Sequence, residues 1–341
     1  MKQQQYNFSS AQCTVYTETS FDAVRDISKE RIIIITDENV HAAHSQKLDA
    51  YEHIIIPAGE QYKNQSTVDN IIQQLIRLHA DRQTLIIGMG GGVVTDIAGY
   101  TASVYMRGLK FGFIPTTILA MVDAAMGGKN GIDVGLYKNM VGIIRQPEFI
   151  LYDLSFLQTL PKTEWINGFA EIIKHACIKD EKMFELLEAN TIENFQQDNN
   201  LLNELIAKNV SIKMSVVVND EFEKGDRKLL NFGHTIGHAI ENIHQLPHGH
   251  AISIGMVAAC IISEEMNNFF TTDKKKVITL LEQYQLPVSF RPDKEKLLQL
   301  MLSDKKRDHD TMNFILLNRI GNAVVKPIPL GQLKDLVEQC F

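Results

Sequence analysis

Thr84-Leu-Ile-Ile-Gly-Met-Gly-Gly-Gly-Val-Val-Thr-Asp-Ile-Ala-Gly99 is the stretch on which the fold turns. It opens with a short β-branched apolar run, the composition of a strand buried on both faces. Glycines at 88, 90, 91 and 92 follow, and then an apolar segment suited to a helix. A buried strand that enters a helix through glycines is one unit of a parallel α/β sheet. Such glycines let backbone N–H groups close around a phosphate at the positive end of a helix. Tight strand-to-helix turns favour glycine as well. The spacing also departs from the dinucleotide fingerprint, so a nucleotide is one of two readings here. Asp96, in the first turn, reads either as a favourable helix charge or as a ligand contact.

Outward from this stretch the pattern repeats. Residues 31–36, 53–57, 111–115 and 149–152 read as strands, residues 37–39 as the loop after the first of them, and 68–79 as a helix. Continuous apolar strands between helices predict a parallel sheet covered on both faces. Past residues 159–161 the strand signals mostly vanish. Residues 164–177, 180–188, 201–218, 234–243 and 251–267 carry helical patterns. The expectation is an α/β domain over 1–159 and a mainly α-helical domain over 160–341. Ligands of such a pair are expected in a cleft between the two.

A chain of 341 residues is long for one core, in keeping with two domains. The net charge of −7 argues against a general nucleic-acid or membrane-surface binder. An anionic ligand would therefore need a local basic cluster. The N-terminal MKQQQYNFSS has no apolar signal core. The longest apolar run, 251–262, is interrupted by Ser253 and Gly255 and fits a buried helix. Cys13, Cys177, Cys260 and Cys340 show no zinc or redox spacing, which predicts reduced thiols and a cytoplasmic location.

Asn231-Phe-Gly-His-Thr-Ile-Gly-His238, followed by His248-Gly-His250, gathers imidazoles among small residues. His234 and His238 are four apart and share a helix face. Two imidazoles on one face with a third nearby suit a catalytic divalent metal; the alternative is a pair of hydrogen-bonded core histidines. Glu171 and Lys174 share a face of an apolar helix. They read as a surface ion pair or as a buried carboxylate that needs a cation or metal. Glu60 and Lys63 follow a strand end, where the loop either faces the ligand edge of the sheet or is a solvated charged loop. Arg107, Asp123, Lys129, Lys138 and Asn139 lie near glycine-rich loops; each alone reads as an ordinary surface charge, and only their clustering at one sheet edge suits a phosphorylated substrate.

The strings PAGEQYK, GGGVVTDIAGY, YMRG, PTTILAMVDAAMGGKNG, KNMVG, QPEFILYD, TLP, GFAEIIKHA, KGDRKLLNFGHTIGHAIE, HGHAISIGM and SDKK run in order along nearly the whole chain. In this the sequence resembles the 3-dehydroquinate synthase family, of the sugar phosphate cyclases. The resemblance implies a Rossmann-like N-terminal domain, a helical C-terminal domain, NAD and a divalent metal, Zn2+ or Co2+. It implies Glu171, His234 and His248 as metal ligands, with His238 turned to the substrate phosphate instead of chelating beside His234. NAD contacts would come from Ala58, Gly59, Glu60, Gln61, Tyr62, Lys63, Gly92, Val93, Val94, Thr95, Asp96, Thr116, Thr117, Lys129, Lys138, Phe156, Leu157, Gln158 and Thr159. Asp37 and Asn39 would lie near the adenosine. The substrate would meet Arg107, Asp123, Lys129, Lys138, Asn139, Lys174, Lys213, Arg227, Asn231, His238 and Lys306, favoured over Lys305.

The implied reaction turns 3-deoxy-D-arabino-heptulosonate 7-phosphate into 3-dehydroquinate and phosphate, the second step of the shikimate route. The partner is thus a small phosphorylated sugar acid, with no nucleic acid or membrane, and the assembly a homodimer. Four departures stand out: His250 where glutamate is usual after His-Gly, Asn130 for threonine, Asp133 for asparagine, and Gly135-Leu-Tyr137 before Lys138-Asn139 in place of a His-Pro-x-Gly run. The rival readings are a sister cyclase acting on another sugar phosphate, a metal-dependent polyol dehydrogenase, and an inactive binding protein.

Overall fold

The computed structural model describes residues 1–135, 137–303, 307–308 and 310–341. Two compact units divide the chain. One comprises Met1–Pro161 with Lys213–Glu221, the other Lys162–Ile212 with Phe222–Phe341. The helix Asn199–Asn219 therefore begins in the second unit and ends in the first.

The first unit is built on strands β1 (Lys2–Asn7), β2 (Gln12–Thr17), β3 (Ile32–Asp37), β4 (Glu52–Ile56), β5 (Leu85–Gly90) and β6 (Phe111–Pro115), then a hairpin of β7 (Lys129–Val134) and β8 (Tyr137–Ile144), and last β9 (Phe149–Leu151). Seven of these form one sheet in the order β1-β2-β9-β6-β5-β3-β4. All neighbours in it are parallel except β1 with β2. The central β5 is buried along its whole length, and β3 over all but its last residue. Their runs of isoleucine and leucine suit a sheet with a helix layer on each face. Ile34, Leu85, Ile87, Ile114 and Leu151 pack with Phe21, Val24 and Leu48 into one core.

The segment read as a loop, 37–39, is a helix start. Asp37 caps the helix Glu38–Leu48 by accepting from the Val40 N–H at 2.9 Å, and Asn39 lies in its first turn. The hairpin β7–β8 and the pair β1–β2 were not anticipated. In β1, Lys2-Gln-Gln-Gln-Tyr-Asn7, no residue is fully buried, so no apolar alternation marks it.

The second unit is mainly helical: Lys162–Lys179, Glu181–Glu188, Ile192–Gln197, Asn199–Asn219, His234–His244, His248–Asn267, Thr271–Gln283, Lys294–Ser303 and Leu333–Cys340. It also contains an antiparallel sheet of β10 (Arg307–Asp308), β11 (Thr311–Arg319) and β12 (Asn322–Pro329), which corrects the expectation that strands all but end at 161. Ile236, Ile240, Ile254, Ala258 and Ile262 pack on Met312, Phe314, Leu316 and Ile328, so this sheet backs the two histidine-bearing helices. The four cysteines are free, and three of them are buried. Among the described residues no helix is long and apolar enough to cross a membrane.

Candidate active site

The helix Lys162–Lys179 is buried from Gly168 to Ile178, and Glu171 and Lys174 lie within that run. Neither side chain reaches solvent: Glu171 is 0% and Lys174 1% exposed, and the ammonium sits directly against the carboxylate. The surface ion pair is thereby excluded. A buried carboxylate needs compensation, and here it draws on three cationic or protonatable groups. His234 Nε2 lies 3.5 Å and His248 Nε2 3.3 Å from Glu171 Oε1.

Local chain geometry brings these histidines in. Gly233 caps the helix His234–His244 in the left-handed region (φ +78°), and a Cβ there would meet Ile252 O at 2.9 Å. The helices His234–His244 and His248–Asn267 approach so closely that a Cβ on Gly255 would lie 1.9 Å from Gly233 O. Asn167, on the Glu171 helix, accepts from the Gly249 N–H and so anchors the start of the second histidine helix.

Each imidazole is also held from behind. His234 Nδ1 donates to Phe232 O at 3.0 Å, and His248 Nδ1 lies 3.3 Å from Glu241 Oε2. Both rings therefore turn Nε2 toward Glu171. This is the way protein ligands are oriented and made more basic around a divalent ion. The donor atoms of Glu171, His234 and His248 all lie within 4.8 Å of one another. One carboxylate and two neutral imidazoles fit zinc or cobalt and leave coordination positions for a hydroxyl-bearing ligand. A second group, His238, Glu241 and His248, shares His248. The His238 ring lies 4.9 Å from that of His234 and 6.0 Å from that of His248.

Electrostatics without a metal follow the same contacts. Burial alone would raise the Glu171 pKa, but Lys174, His234 and His248 hold it well below the usual carboxylate range. Burial works against charge on His248, yet hydrogen bonds to Glu171 and Glu241 push its pKa up to about 10. His250 has its pKa lowered by burial.

In the first unit a second constellation surrounds the glycine-rich turn. Lys63 is 5% exposed and donates to Asp96 at 2.5 Å and to Asn139 Oδ1 at 2.7 Å. Asp133 accepts from the Asn139 N–H at 2.7 Å, and Lys138 lies 3.3 Å from Glu60. Burial raises the Asp96 pKa while Lys63 pulls it down; the Lys63 ammonium, penalised by burial, is held charged by Asp96, Glu60 and Asp133. Gly59, at φ +115°, starts the turn Glu60–Tyr62 that delivers Lys63. The Thr116 N–H donates to Gly90 O at 2.9 Å. A Cβ on Gly91 would lie 3.2 Å from Thr117. Val94 and Thr95 are buried, with Thr95 Oγ1 bonded to Gly92 O, so their side chains serve packing.

Lys213 ion-pairs with Asp123 at 2.8 Å and also reaches its carbonyl. Phe156 and Leu157 are buried, Gln158 and Thr159 exposed, and Thr159 Oγ1 meets His44 Nε2 at 2.8 Å. Arg107 sits in the left-handed region at φ +67°, and Lys129 is exposed at the head of the hairpin. In the second unit Arg227 is buried and Asn231 Nδ2 donates to Glu223 at 2.7 Å. Lys305 and Lys306 lie outside the described residues. Sequence reasoning missed Asn167 and Glu241. Glu241 was within reach of it, standing seven residues after His234 on the same helix face.

Comparison with known proteins agrees with this chemistry. The models of the 3-dehydroquinate synthase N-terminal and C-terminal regions match residues 53–167 and 168–307. A 3-dehydroquinate synthase of Pyrococcus abyssi is 38% identical over 314 residues, 90% of this chain and 92% of that one. Two solved cyclases are each 25% identical. A 2-epi-5-epi-valiolone synthase from Streptomyces hygroscopicus, with NAD+ and Zn2+ bound, has a TM-score of 0.88 over 100% of this chain and 99% of its own. A 2-deoxy-scyllo-inosose synthase, complexed with carbaglucose-6-phosphate, NAD+ and Co2+, has a TM-score of 0.83 over 98% and 99%. The buried carboxylate with its two imidazoles, the lysine-lined glycine turn and matches spanning both units converge on one conclusion: the chain belongs to the 3-dehydroquinate synthase family.

Proposed function

We infer that the protein is a carbon–oxygen lyase that converts 3-deoxy-D-arabino-heptulosonate 7-phosphate to 3-dehydroquinate and phosphate, using NAD and a divalent metal. The convergence of two back-held imidazoles on the buried Glu171 carboxylate carries this reading. Glu171, His234 and His248 are assigned to the metal, zinc in preference to cobalt. The turn Ala58–Lys63, the helix start Gly92–Asp96, Thr116, Thr117 and the segment 156–159 are assigned to NAD, with Asp37 and Asn39 toward the adenosine. When bound, NAD supplies a reversible hydride acceptor for the C5 alcohol, and the ion supplies Lewis acidity to the neighbouring oxygens.

The protein's own residues bind and orient. Arg107, Lys129, Lys138, Lys213, Arg227 and Lys306 are cations for the phosphate and carboxylate of the substrate, which explains how a chain of net charge −7 takes a polyanion. His238, Asn231, Asn139 and Asp123 fix hydroxyl and phosphate orientation. Lys174, beside Glu171, keeps that carboxylate ionised for its ligand role. The substrate phosphate itself takes the proton as it leaves, so the task of the protein is positioning, and the closing aldol step gains from the same preorientation. Four free thiols, three of them buried, support a reducing compartment, and we place the enzyme in the cytoplasm as a homodimer.

A sister cyclase is the remaining alternative. The 38% identity to a 3-dehydroquinate synthase, against 25% to the other cyclases, favours the dehydroquinate reading. So does the presence of Lys213, Arg227 and Asn231, suited to a carboxylate-bearing substrate. Incubation with the heptulosonate phosphate, NAD and zinc should release one phosphate per 3-dehydroquinate by mass spectrometry, with no net NADH. Phosphate release from sedoheptulose 7-phosphate or glucose 6-phosphate alone would give the assignment to a sister cyclase, and steady NADH build-up to a dehydrogenase.

A further inference from the structure

The hairpin of β7 and β8 loses its regular pairing at one point. Ile132 faces Val141 and Val134 faces Tyr137, so a single residue of β7, Asp133, stands opposite Lys138, Asn139 and Met140 of β8. The surplus residues bow out of the ladder as a bulge, an irregularity that re-aims side chains beside functional sites. Two of them, Lys138 and Asn139, are the ones assigned above to the substrate.

The bulge takes the Asn139 N–H out of the ladder, and the Asp133 side chain supplies its acceptor, Oδ1 at 2.7 Å. The Asp133 N–H in turn donates to Lys63 O at 2.8 Å, and the Lys63 ammonium donates to Asn139 Oδ1 at 2.7 Å. Lys63, Asp133 and Asn139 thus close a ring of hydrogen bonds. Asn139 is exposed and sits in the left-handed region at φ +53°. Asparagine tolerates that conformation better than most residues, but a solvent-exposed one is not held there without partners.

The ring also decides which end of the Asn139 amide meets a ligand. An ammonium only donates, so the atom facing Lys63 is the carbonyl oxygen. The Nδ2 group, with its two N–H donors, is the end left for an acceptor such as a phosphoryl oxygen. Aspartate stands at 133 where asparagine is frequent in the family. Both side chains offer Oδ1 to a backbone N–H, so the property they share is the acceptor. The charge of Asp133 would by itself repel a phosphate.

We propose that Asp133 is a positioning residue for the phosphorylated substrate: by accepting the Asn139 N–H inside the bulge, it holds the Asn139 amide with its donors presented to the phosphoryl group. This rests on the assignment of Asn139 to the substrate.

The test titrates inorganic phosphate by calorimetry into the full chain loaded with NAD and zinc, as wild type, Asp133→Ala and Asp133→Asn. Both substitutions remove the charge, and only alanine removes the acceptor. Asp133→Ala should weaken phosphate binding about tenfold, the worth of one hydrogen bond to a charged group. Asp133→Asn should bind phosphate as tightly as the wild type or more so. NAD affinity should be unchanged in both, because the bond from residue 133 to Lys63 O is made by the backbone and survives substitution. Equal phosphate affinity in the two variants overturns the positioning role and leaves the assignment of Asn139. So does an alanine variant that loses NAD and phosphate affinity alike. A wild type that takes up NAD and zinc but no phosphate overturns both. In the wild type the Asn139 amide should also be protected from hydrogen exchange; free exchange there overturns the proposal with no variant needed, so a misfolded alanine protein does not blunt the test.

Discussion

Replacing Glu171 by glutamine removes one negative charge from a place where Lys174, His234 and His248 converge. The amide keeps the volume, so the packing of the helix Lys162–Lys179 is undisturbed and the effect is electrostatic. Both members of the ion pair are out of water, at 0% and 1% exposure, so solvent cannot take over the lost charge. Removing one partner of a buried pair typically costs about 3–5 kcal/mol, because the other charge stays buried without it. The metal-free protein carrying Glu171→Gln should lose that amount at pH 7, read from its urea midpoint at constant slope. Lys174→Met alone should cost less, since His234 and His248 still offset the carboxylate. In the double variant no buried charge is stranded, so the loss should fall short of the sum of the singles by about 2–3 kcal/mol.

The pH dependence carries a sign. The folded Glu171 carboxyl has its pKa held well below the ordinary 4.5. Its contribution is therefore complete above pH 4.5 and lost as pH falls through the folded value. The cost of Glu171→Gln should shrink over that acid range. Metal must be chelated away throughout, because a bound ion adds its own stabilisation to the wild type alone. Additivity of the two single costs within about 0.5 kcal/mol at pH 7 would refute the pairing argument.

Metal uptake should release a proton from His248. Its pKa, opposed by burial but raised to about 10 by Glu171 and Glu241, keeps it protonated in the metal-free protein, and a ligand must be neutral. Apparent affinity should thus rise about tenfold per pH unit from pH 6.5 and level off near pH 10, as read by calorimetry in buffers of different ionisation heat; a flat profile would contradict this. Gly99→Ala should destabilise by about 1–3 kcal/mol despite the better helix propensity of alanine, since its Cβ would fall 1.9 Å from Asn130 Oδ1. That oxygen cannot swing away freely, because Asn130 Nδ2 is bonded to Gly128 O and Arg145 O at 2.8 and 2.9 Å. In an Asn130→Ala background the same change should be neutral or stabilising by thermal melting, and an equal loss in both backgrounds would rule out this contact as the cause.

Four of the five strands that sequence reading found, β3, β5, β6 and β9, are buried on both faces; the fifth, β4, is an outer strand found by its isoleucine run although Ile55 is exposed. In β3 and β5, β-branched and leucine side chains fill consecutive positions because both directions of the pleat point into protein. Of the strands it missed, β1, β2, β8 and β12 have one wet face or two, whereas β11 is buried from Phe314 to Leu317. β1 spends its positions on glutamine, and β8 alternates nothing, since all its residues reach solvent. β11 and β12 pair with each other over a short turn, and their apolar residues at 312–317 were lost in a region dominated by helical periodicity. A signal that depends on burial cannot report an element that is not buried.

The metal cluster sets a harder limit. Helical spacing pointed to His234 and His238 as joint chelators, and their rings do lie 4.9 Å apart. Yet the atoms turned toward Glu171 are the Nε2 nitrogens of His234 and His248, and His248 is 77 residues from that carboxylate. Periodicity speaks for neighbours on one helix and is silent on residues brought together by packing. What the local sequence does encode is permission for the approach. Gly233, Gly237 and Gly255 stand where two helices nearly touch, and Gly249 where Asn167 closes on the backbone; a side chain at any of them would strike a backbone atom within 3 Å. Glycines that break a helical pattern without ending the helix therefore mark where distant elements meet, and in this chain they mark it on both sides of the histidines. The identity of the visitor, Glu171, cannot be deduced from them. Its apolar helix had already marked it as a candidate buried carboxylate, likeness to a family made it a metal ligand, and the geometry supplies the physical reason that likeness lacks: the carboxylate stays ionised out of water because two imidazoles and an ammonium are turned toward it.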